Sequence, residues 1–263
     1  MVEQNTNSSD IKSGETSSRN TVFLYKKLGE TPLECILRYK ADTGETRVMT
    51  YAGRLDPVAE GGLLCLIGDE CKSKAKYLSL NKKYTFEILV GFSTDTHDLL
   101  GLTEVTPLVN LGEVDSKLLH SLQSFIGKQH QVYPAYSSKT VNGVQLHTLA
   151  RADKLGDIDL PSREVEIFEL KLCGTRSIYG KELLNNILNK IDLVKGDFRQ
   201  KQIKEKWKSV LNESISYEIC KIEMHCSSGT YVRALIRDLS KKMGIPMCAN
   251  SIKRTAVGDF VLP

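Results

Sequence analysis

The chain lacks most of the signatures by which a sequence declares its chemistry. Its seven cysteines, Cys35, Cys65, Cys71, Cys173, Cys220, Cys226 and Cys248, are odd in number and contain no C-x-x-C pair. Most sit in apolar runs and read as small buried hydrophobes of a reducing compartment. No apolar run approaches the roughly 20 residues of a membrane span. The N-terminal stretch has no apolar core of the secretory-signal kind, and its Glu3, Asp10 and Glu15 speak against a mitochondrial transit peptide. The cytoplasm is therefore the expected compartment. A Walker A sequence, a G-x-G-x-x-G after a strand, H-E-x-x-H and G-x-S-x-G are all absent, which sets aside the nucleotide-binding, zinc-protease and serine-hydrolase readings that those strings carry. Charge of one sign is barely in excess: the net charge is +4 and the sequence pI is near 8.6. Such a balance permits a nucleic-acid partner without demanding one, since dedicated binding domains often lie above a pI of about 9.

What is present is the material of an ordinary globular chain: 263 residues, 41% hydrophobic and 26% charged, are enough for a sizeable core. Residues 1–20, MVEQNTNSSDIKSGETSSRN, are polar and nearly free of large apolar side chains, and are expected to be a disordered tail. Order is expected from residue 21 to 263. TVFLYKK reads as a strand, and Thr31-Pro32 opens a helix through LECILRYK with proline at its first position. Further strands are expected at GLLCLIG, KKYTFEILVG, REVEIFELKLCG and YEICKIEMHCS, and helices at VDSKLLHSLQSFIG, VQLHTLARADKLG and TYVRALIRDLSKKMG. In the last, Val232, Leu235, Ile236, Leu239 and Met243 form one apolar face. Strands and helices mix without a βαβ rhythm, so the fold class is α+β, with a mixed, largely antiparallel sheet and flanking helices. Residues 181–213 are helical in pattern and rich in lysine. They read as a solvated helical insertion between two strands, with a basic arm that touches phosphates as the alternative.

Few residues are placed for chemistry. His97 and Asp98 in TDTHD suggest metal ligands, but no second histidine lies at ligand spacing and a plain loop is the simpler reading. His225 and Cys226 end a strand and are explained by packing. Ser227, Ser228, Gly229 and Thr230 offer either a phosphate cradle or a cap for the helix that follows. YAGRLDPVAEGG, residues 51–62, places Asp56 two residues after Arg54 and directly before Pro57, among small residues. Alone it reads as a turn.

Taken with four other segments, it reads differently. GRLDPVAEGGLLCLIG resembles the catalytic signature of the pseudouridine synthases, in which the aspartate of an R-L-D triplet is the one catalytic carboxylate. The string alone is shared with the RsuA and RluA groups. FLYKKLGETPLECI, NKKYTFEILVGFSTDTHDLLG, PAYSSKTVNGVQLHTLAR and CSSGTYVRALIRDLSKKMG resemble, in order, the remaining motifs of the TruB group, which modifies the T loop of tRNA. The order holds from Phe23 through ANSIKRTAVGDFVL.

The resemblance implies a pseudouridine-synthase-like catalytic domain that isomerises a T-loop uridine, tRNA position 55, to pseudouridine without a cofactor or metal. Asp56 would act as the nucleophile at C1′ or take the 2′ proton, with Arg233 as the cation that keeps it ionised. Tyr84 would stack beneath the flipped uracil and take part in moving the C5 proton. Tyr231 and Ile252 fall at the family's other base-contacting positions, and Tyr51 at a substrate-binding position that helps to hold the T loop open. The implied partner is the tRNA T-arm, bound by a monomer with no membrane and no guide RNA. Three departures stand out. Tyr51 replaces a histidine common in bacterial members, Lys27 stands where the N-terminal motif usually has proline, and the chain ends at Pro263, where most relatives continue into a PUA domain. A PUA domain is therefore not expected, and RNA contact would lean on basic surfaces such as residues 181–213. Residues 128–160 match the flexible segment that closes over the T loop in the family.

Overall fold

The computed structural model describes residues 17–18, 20–104, 114–156 and 158–263. Of the expected polar tail, residues 1–16 and 19 lie outside the described residues; Ser17–Ser18 form a short strand, β1, paired with the start of β2 (Thr21–Lys26). The chain continues through α1 (Pro32–Thr43), β3 (Met49–Tyr51), β4 (Ala59–Ile67), a 3₁₀ turn (Gly68–Ser73) and α2 (Lys74–Leu78). Helix α1 starts where expected: Thr31 accepts from the Glu34 amide, the Glu34 carboxylate accepts from the Thr31 amide, and Pro32 opens the first turn. Next come β5 (Lys82–Val90), the small hairpin β6 (Ser93–Thr94) and β7 (Thr103–Glu104), α3 (Val114–Gln123) and β8 (Gly127–Val132). β9 (Thr140–Val141) and β10 (Val144–Gln145) form a second hairpin and lead into α4 (Leu146–Arg151). That helix is shorter than the sequence pattern suggests, because Asp153 takes a left-handed φ of 54° and turns the chain away.

The remainder is one long excursion and its return. β11 (Ser162–Tyr179) runs into α5 (Gly180–Asp192) and α6 (Gln200–Val210), and the chain comes back antiparallel as β12 (Ser216–Cys226). Then follow α7 (Val232–Met243), β13 (Met247–Val257) and β14 (Phe260–Val261). The main sheet has the order β1-β2-β4-β13-β5-β12-β11-β8, with β3 on β4 and β14 on β13. Among the described residues only its β4–β13 pairing is parallel. The expected mixed, largely antiparallel α+β architecture is what the chain adopts.

Strand alternation divides the apolar residues between two faces. Tyr84, Phe86 and Ile88 of β5 meet Leu235, Ile236 and Leu239 of α7 and Leu118 and Leu122 of α3. Leu89 points the other way, against Leu183, Leu184 and Ile187 of α5 and Ile203 and Trp207 of α6. The 181–213 segment is thus helical, as its pattern suggests, but only its lysine-bearing side is solvated. Its apolar side closes a second core, in which the fully buried Trp207 indole donates to the Leu99 carbonyl at 3.1 Å. An irregularity in β13 between Ala249 and Ser251 also matters. Cys248 lies in the α5/α6 core, yet Ile252, four residues on, joins the α7 core; the bulge reverses the alternation and sends Ile252 and Arg254 to the face that carries the site.

Candidate active site

Asp56 sits in the connection between β3 and β4, and this connection is fastened from beneath by two buried cations. Arg254 of β13 is 1% exposed; it donates through Nε to Gly62 O at 2.7 Å and through its two terminal nitrogens to Arg54 O and Gly53 O, both at 3.2 Å. Gly53 takes a φ of 92°, and this lets the backbone turn over the guanidinium. Lys26, fully buried at the end of β2, donates to Ala59 O at 2.6 Å and to the carbonyls of Asp56 and Lys27, both at 3.2 Å. Burial pushes its ammonium down to about 8, against the pull of the Asp56 charge. With its carbonyl fixed, Asp56 turns its carboxylate into the cavity.

The carboxylate is met there by Arg233, in the first turn of α7 and 3% exposed. The guanidinium donates in three directions: Nε to Asp56 Oδ2 at 2.7 Å, one terminal nitrogen to Thr96 O at 2.8 Å and the other to Tyr136 O at 3.1 Å. A second carboxylate, Asp98, stands 3.5 Å from the same Nε and accepts from the Thr96 hydroxyl at 2.6 Å and the Leu100 amide at 2.9 Å. Burial would lower the basicity of Arg233, but the Asp56 and Asp98 carboxylates outweigh it and raise the guanidinium above its ordinary value. Burial raises the Asp98 carboxyl, with Arg233 opposing. The plain-loop reading of Asp98 is therefore incomplete: TDTHD supplies a buried acid to the centre of the site. His97 beside it is no ligand. Its ring is pushed down to about 4 by burial and by Arg237, Arg233 and Lys241, and among the described residues no cluster of His, Cys, Asp and Glu could hold a metal ion.

Tyr51, Tyr84, Tyr231 and Ile252 line the same cavity as Asp56 and Arg233, with a volume of about 970 Å³, so all six residues singled out from the sequence are brought together. Burial pushes the Tyr84 hydroxyl up to about 12, so it carries its proton at neutral pH. Tyr231 packs edge-on against Tyr133 at 5.7 Å, and the Gln131 side chain holds its backbone by accepting from the amide at 2.8 Å and donating to the carbonyl at 3.1 Å. Tyr51 is half-buried at the rim, with the Lys74 ammonium 5.1 Å from its ring centre, a cation–π contact. The rim also carries the exposed Arg54 and Arg163; Gly229 leaves the space in which the Arg163 guanidinium lies across the backbone.

The other sequence candidates are explained by packing. Ser227 and Thr230 do not cap α7: Ser227 Oγ accepts from the Glu166 amide, Thr230 Oγ1 donates to Ser227 O, and Tyr231 starts the helix without a side-chain cap. His225 stacks on Phe168 at 4.9 Å, and burial raises the Cys226 thiol to about 11. Sequence reasoning passed over Lys26, Arg254 and Tyr136, and read Asp98 as part of a loop. A signal existed for all four, since each lies inside one of the segments that carry the resemblance.

Comparison with known proteins adds three findings. The N-terminal domain of TruB family pseudouridylate synthases matches residues 42–196. The tRNA pseudouridine synthase B of Ligilactobacillus salivarius is 33% identical over 239 residues, covering 90% of this chain and 67% of that protein; the one from Oceanobacillus iheyensis is 30% identical over 237 residues, covering 90% and 65%. This chain thus spans about two thirds of the length of such curated relatives. Among solved structures, a Cbf5-Nop10-Gar1 complex contains a chain that superposes with a TM-score of 0.55 at 14% identity, over 92% of this chain and 50% of that one, which is a likeness of fold.

Proposed function

The chain belongs to the TruB family of pseudouridylate synthases, and from that premise we propose that it isomerises a T-loop uridine of tRNA, at position 55, to pseudouridine. The observation that carries the proposal is the 2.7 Å pairing of Arg233 with Asp56 inside a cavity that also presents Tyr84, Tyr231 and Ile252. A uridine held in a folded loop must leave its stack to reach such a cavity, at a few kcal/mol. Tyr84 then offers an aromatic face to the base, a contact worth roughly 1–3 kcal/mol. Ile252 and Tyr231 confine the base, and Tyr51 with Lys74 meets the loop at the rim.

The reaction breaks N1–C1′, turns the uracil and joins C5 to C1′, and the C5 proton leaves at the end. Asp56 serves the first step as an ionised carboxylate, by adding to C1′ or by taking the 2′ proton. Arg233 pairs with it at 2.7 Å and aims it. The Tyr84 hydroxyl, protonated at neutral pH, acts on the C5 proton as a relay rather than as a standing phenolate base. The partner in this reading is the T-arm of bare tRNA, met by a monomer in the cytoplasm with no guide RNA and no metal. Among the described residues no helix is long and apolar enough to cross a membrane.

The test is tritium release from tRNA labelled at uracil C5, with no guide or protein added. The wild type is expected to release one tritium per tRNA, and Asp56→Asn none, while the variant's tRNA affinity stays within about threefold. A wild-type protein inert on every T-loop substrate refutes the proposal.

A further inference from the structure

The two-helix unit between β11 and β12 does more than cover the sheet. The turn between α5 and α6 reaches the wall of the cavity and presents Asp197, Phe198 and Arg199 there. This turn is tightly specified. Gln200 accepts from the Phe198 amide at 2.8 Å and donates to Val194 O at 3.0 Å and Gly196 O at 2.7 Å. Arg199 has a φ of 62°, a conformation that a non-glycine residue keeps only where its surroundings fix it. Its guanidinium lies 4.9 Å over the Tyr136 ring and 2.9 Å from Asp95 Oδ2, the oxygen to which the Tyr136 hydroxyl donates at 3.1 Å. A second clasp runs beside it: Arg151 stands 5.2 Å over the Phe198 ring and donates to Asp197 O at 3.0 Å.

We propose that Arg199 is a positioning residue for the Asp56–Arg233 pair: it holds Tyr136, whose backbone carbonyl fixes one end of the Arg233 guanidinium. Of the three groups to which Arg233 donates, Asp56 lies in a connection held by Lys26 and Arg254, and Thr96 lies in the β6–β7 hairpin, which is bonded to β13 through His97 O and the Ala249 amide at 3.0 Å. Tyr136 is tied less directly, through its neighbour Ser137, whose carbonyl accepts from the His147 amide at 3.1 Å. It belongs to the irregular stretch between β8 and β9, and its ring is fastened by Asp95 and Arg199. Without Arg199 the Tyr136 ring loses one of these two fasteners, so its carbonyl is held less firmly and the guanidinium with it. Misplacement of a reacting group by about 1 Å can cost roughly 10²-fold in rate. The ion pair is partly exposed, at 25% and 32%, and Asp95 keeps its bond from the Leu102 amide at 2.8 Å, so the fold itself should persist.

This inference rests on the isomerisation reading, and its test separates the two. Single-turnover tritium release at saturating protein and tRNA affinity by filter binding are measured for the wild type, Arg199→Ala, Arg199→Lys, Tyr136→Leu and the double variant Arg199→Ala/Tyr136→Leu. Lys171→Ala, exposed on β11, serves as control. Arg199→Ala should slow the step about tenfold with affinity changed less than threefold. Arg199→Lys, which keeps the charge but loses the plane over Tyr136, should recover part of the rate. The double variant should be no slower than Tyr136→Leu, because Arg199 then has no ring to hold. An unchanged rate with affinity lowered tenfold makes Arg199 a phosphate contact and overturns the proposal, as do single effects that multiply in the double variant. Should Arg199→Ala not fold, a rate for Arg199→Lys equal to that of the wild type overturns it. If the wild type is inert, the isomerisation reading fails, and the positioning role is then decided by NMR exchange of the Arg233 Nε–H. Exchange tenfold faster in Arg199→Ala supports the role, and unchanged exchange refutes it.

Discussion

Replacing Arg233 with lysine keeps the charge at the centre of the site and removes its shape. The guanidinium makes bonds of 2.7 Å to Asp56, 2.8 Å to Thr96 O and 3.1 Å to Tyr136 O, with Asp98 at 3.5 Å, from a position 3% exposed. An ammonium at the end of a flexible chain cannot serve these directions together. If it follows the carboxylates, Thr96 O and Tyr136 O are left without their donor, and each buried acceptor so orphaned costs about 1–3 kcal/mol. The retained charge spares the larger penalty, about 3–5 kcal/mol, that accompanies deletion of a buried ion-pair partner. The expected loss of stability for Arg233→Lys is therefore about 2–6 kcal/mol, or a fall in thermal midpoint of roughly 4–24 °C for a chain of this size. Activity should fall further, by about 10²-fold, since the same change releases the orientation of Asp56. Calorimetry and single-turnover tritium release on one preparation test both numbers. A variant whose midpoint stays within about 2 °C of the wild type and whose rate stays within about threefold would show that charge alone suffices at this position, and the argument from the three-way fork would fall.

Tyr84→Leu should reduce tritium release at subsaturating tRNA by roughly 5- to 150-fold, the loss of one stacking contact, whereas Tyr84→Phe keeps the ring and should remain within a few fold on that term; a change below twofold for Tyr84→Leu removes the stacking role. Trp207→Ala should cost about 3–5 kcal/mol in urea unfolding, because it empties the centre of the α5/α6 core, and a loss below about 1 kcal/mol would mean that the helices are an appended arm after all. His97 is held neutral in the fold, with its pKa pushed from 6.5 to about 4, so below pH 6.5 the unfolded chain binds a proton that the native state refuses. Its contribution is intact above pH 6.5 and is lost as the pH falls towards 4, by on the order of 2–3 kcal/mol. His97→Gln should flatten that limb of the stability profile, and an unaltered slope refutes the assignment.

The sequence pattern carried the apolar strands and helices well because they obey one period each. β5 alternates or runs apolar, and α7 keeps its three- and four-residue spacing, so burial follows from counting. β8 escaped because GKQHQV is polar on both faces; it is an edge strand held by its ladder to β11, and a ladder leaves no mark in side-chain pattern. Lys26 and Arg254 escaped for a related reason. A lysine at the end of TVFLYK and an arginine in SIKRTAV both look like solvent-facing positions. Each is buried because a distant connection, residues 52–59, crosses over it, and nothing local encodes that crossing. Asp56, Tyr84 and Arg233 are far apart in sequence and were legible together only through ordered motifs, while the contact between Arg199 and Tyr136 arises from two segments that no motif joins.

The buried cations share a purpose that no single one of them reveals. Lys26 donates to three backbone carbonyls, Arg254 to three, Lys82 to the carbonyls of Leu78 and Leu80, and Arg233 to two carbonyls besides Asp56. Four cations thus hold the connections around the Asp56 carboxylate by their backbone, leaving the side chains free to face the cavity. Burial pushes Lys26 and Lys82 both down to about 8, which measures the desolvation that this arrangement incurs. A fold selected for stability alone would place apolar side chains there, since burying charge is seldom the more stable choice. Positive charge around Asp56 also favours the approach of a phosphate backbone, a demand that the proposed reaction makes. The reason to keep cations under these connections is therefore electrostatic as well as mechanical.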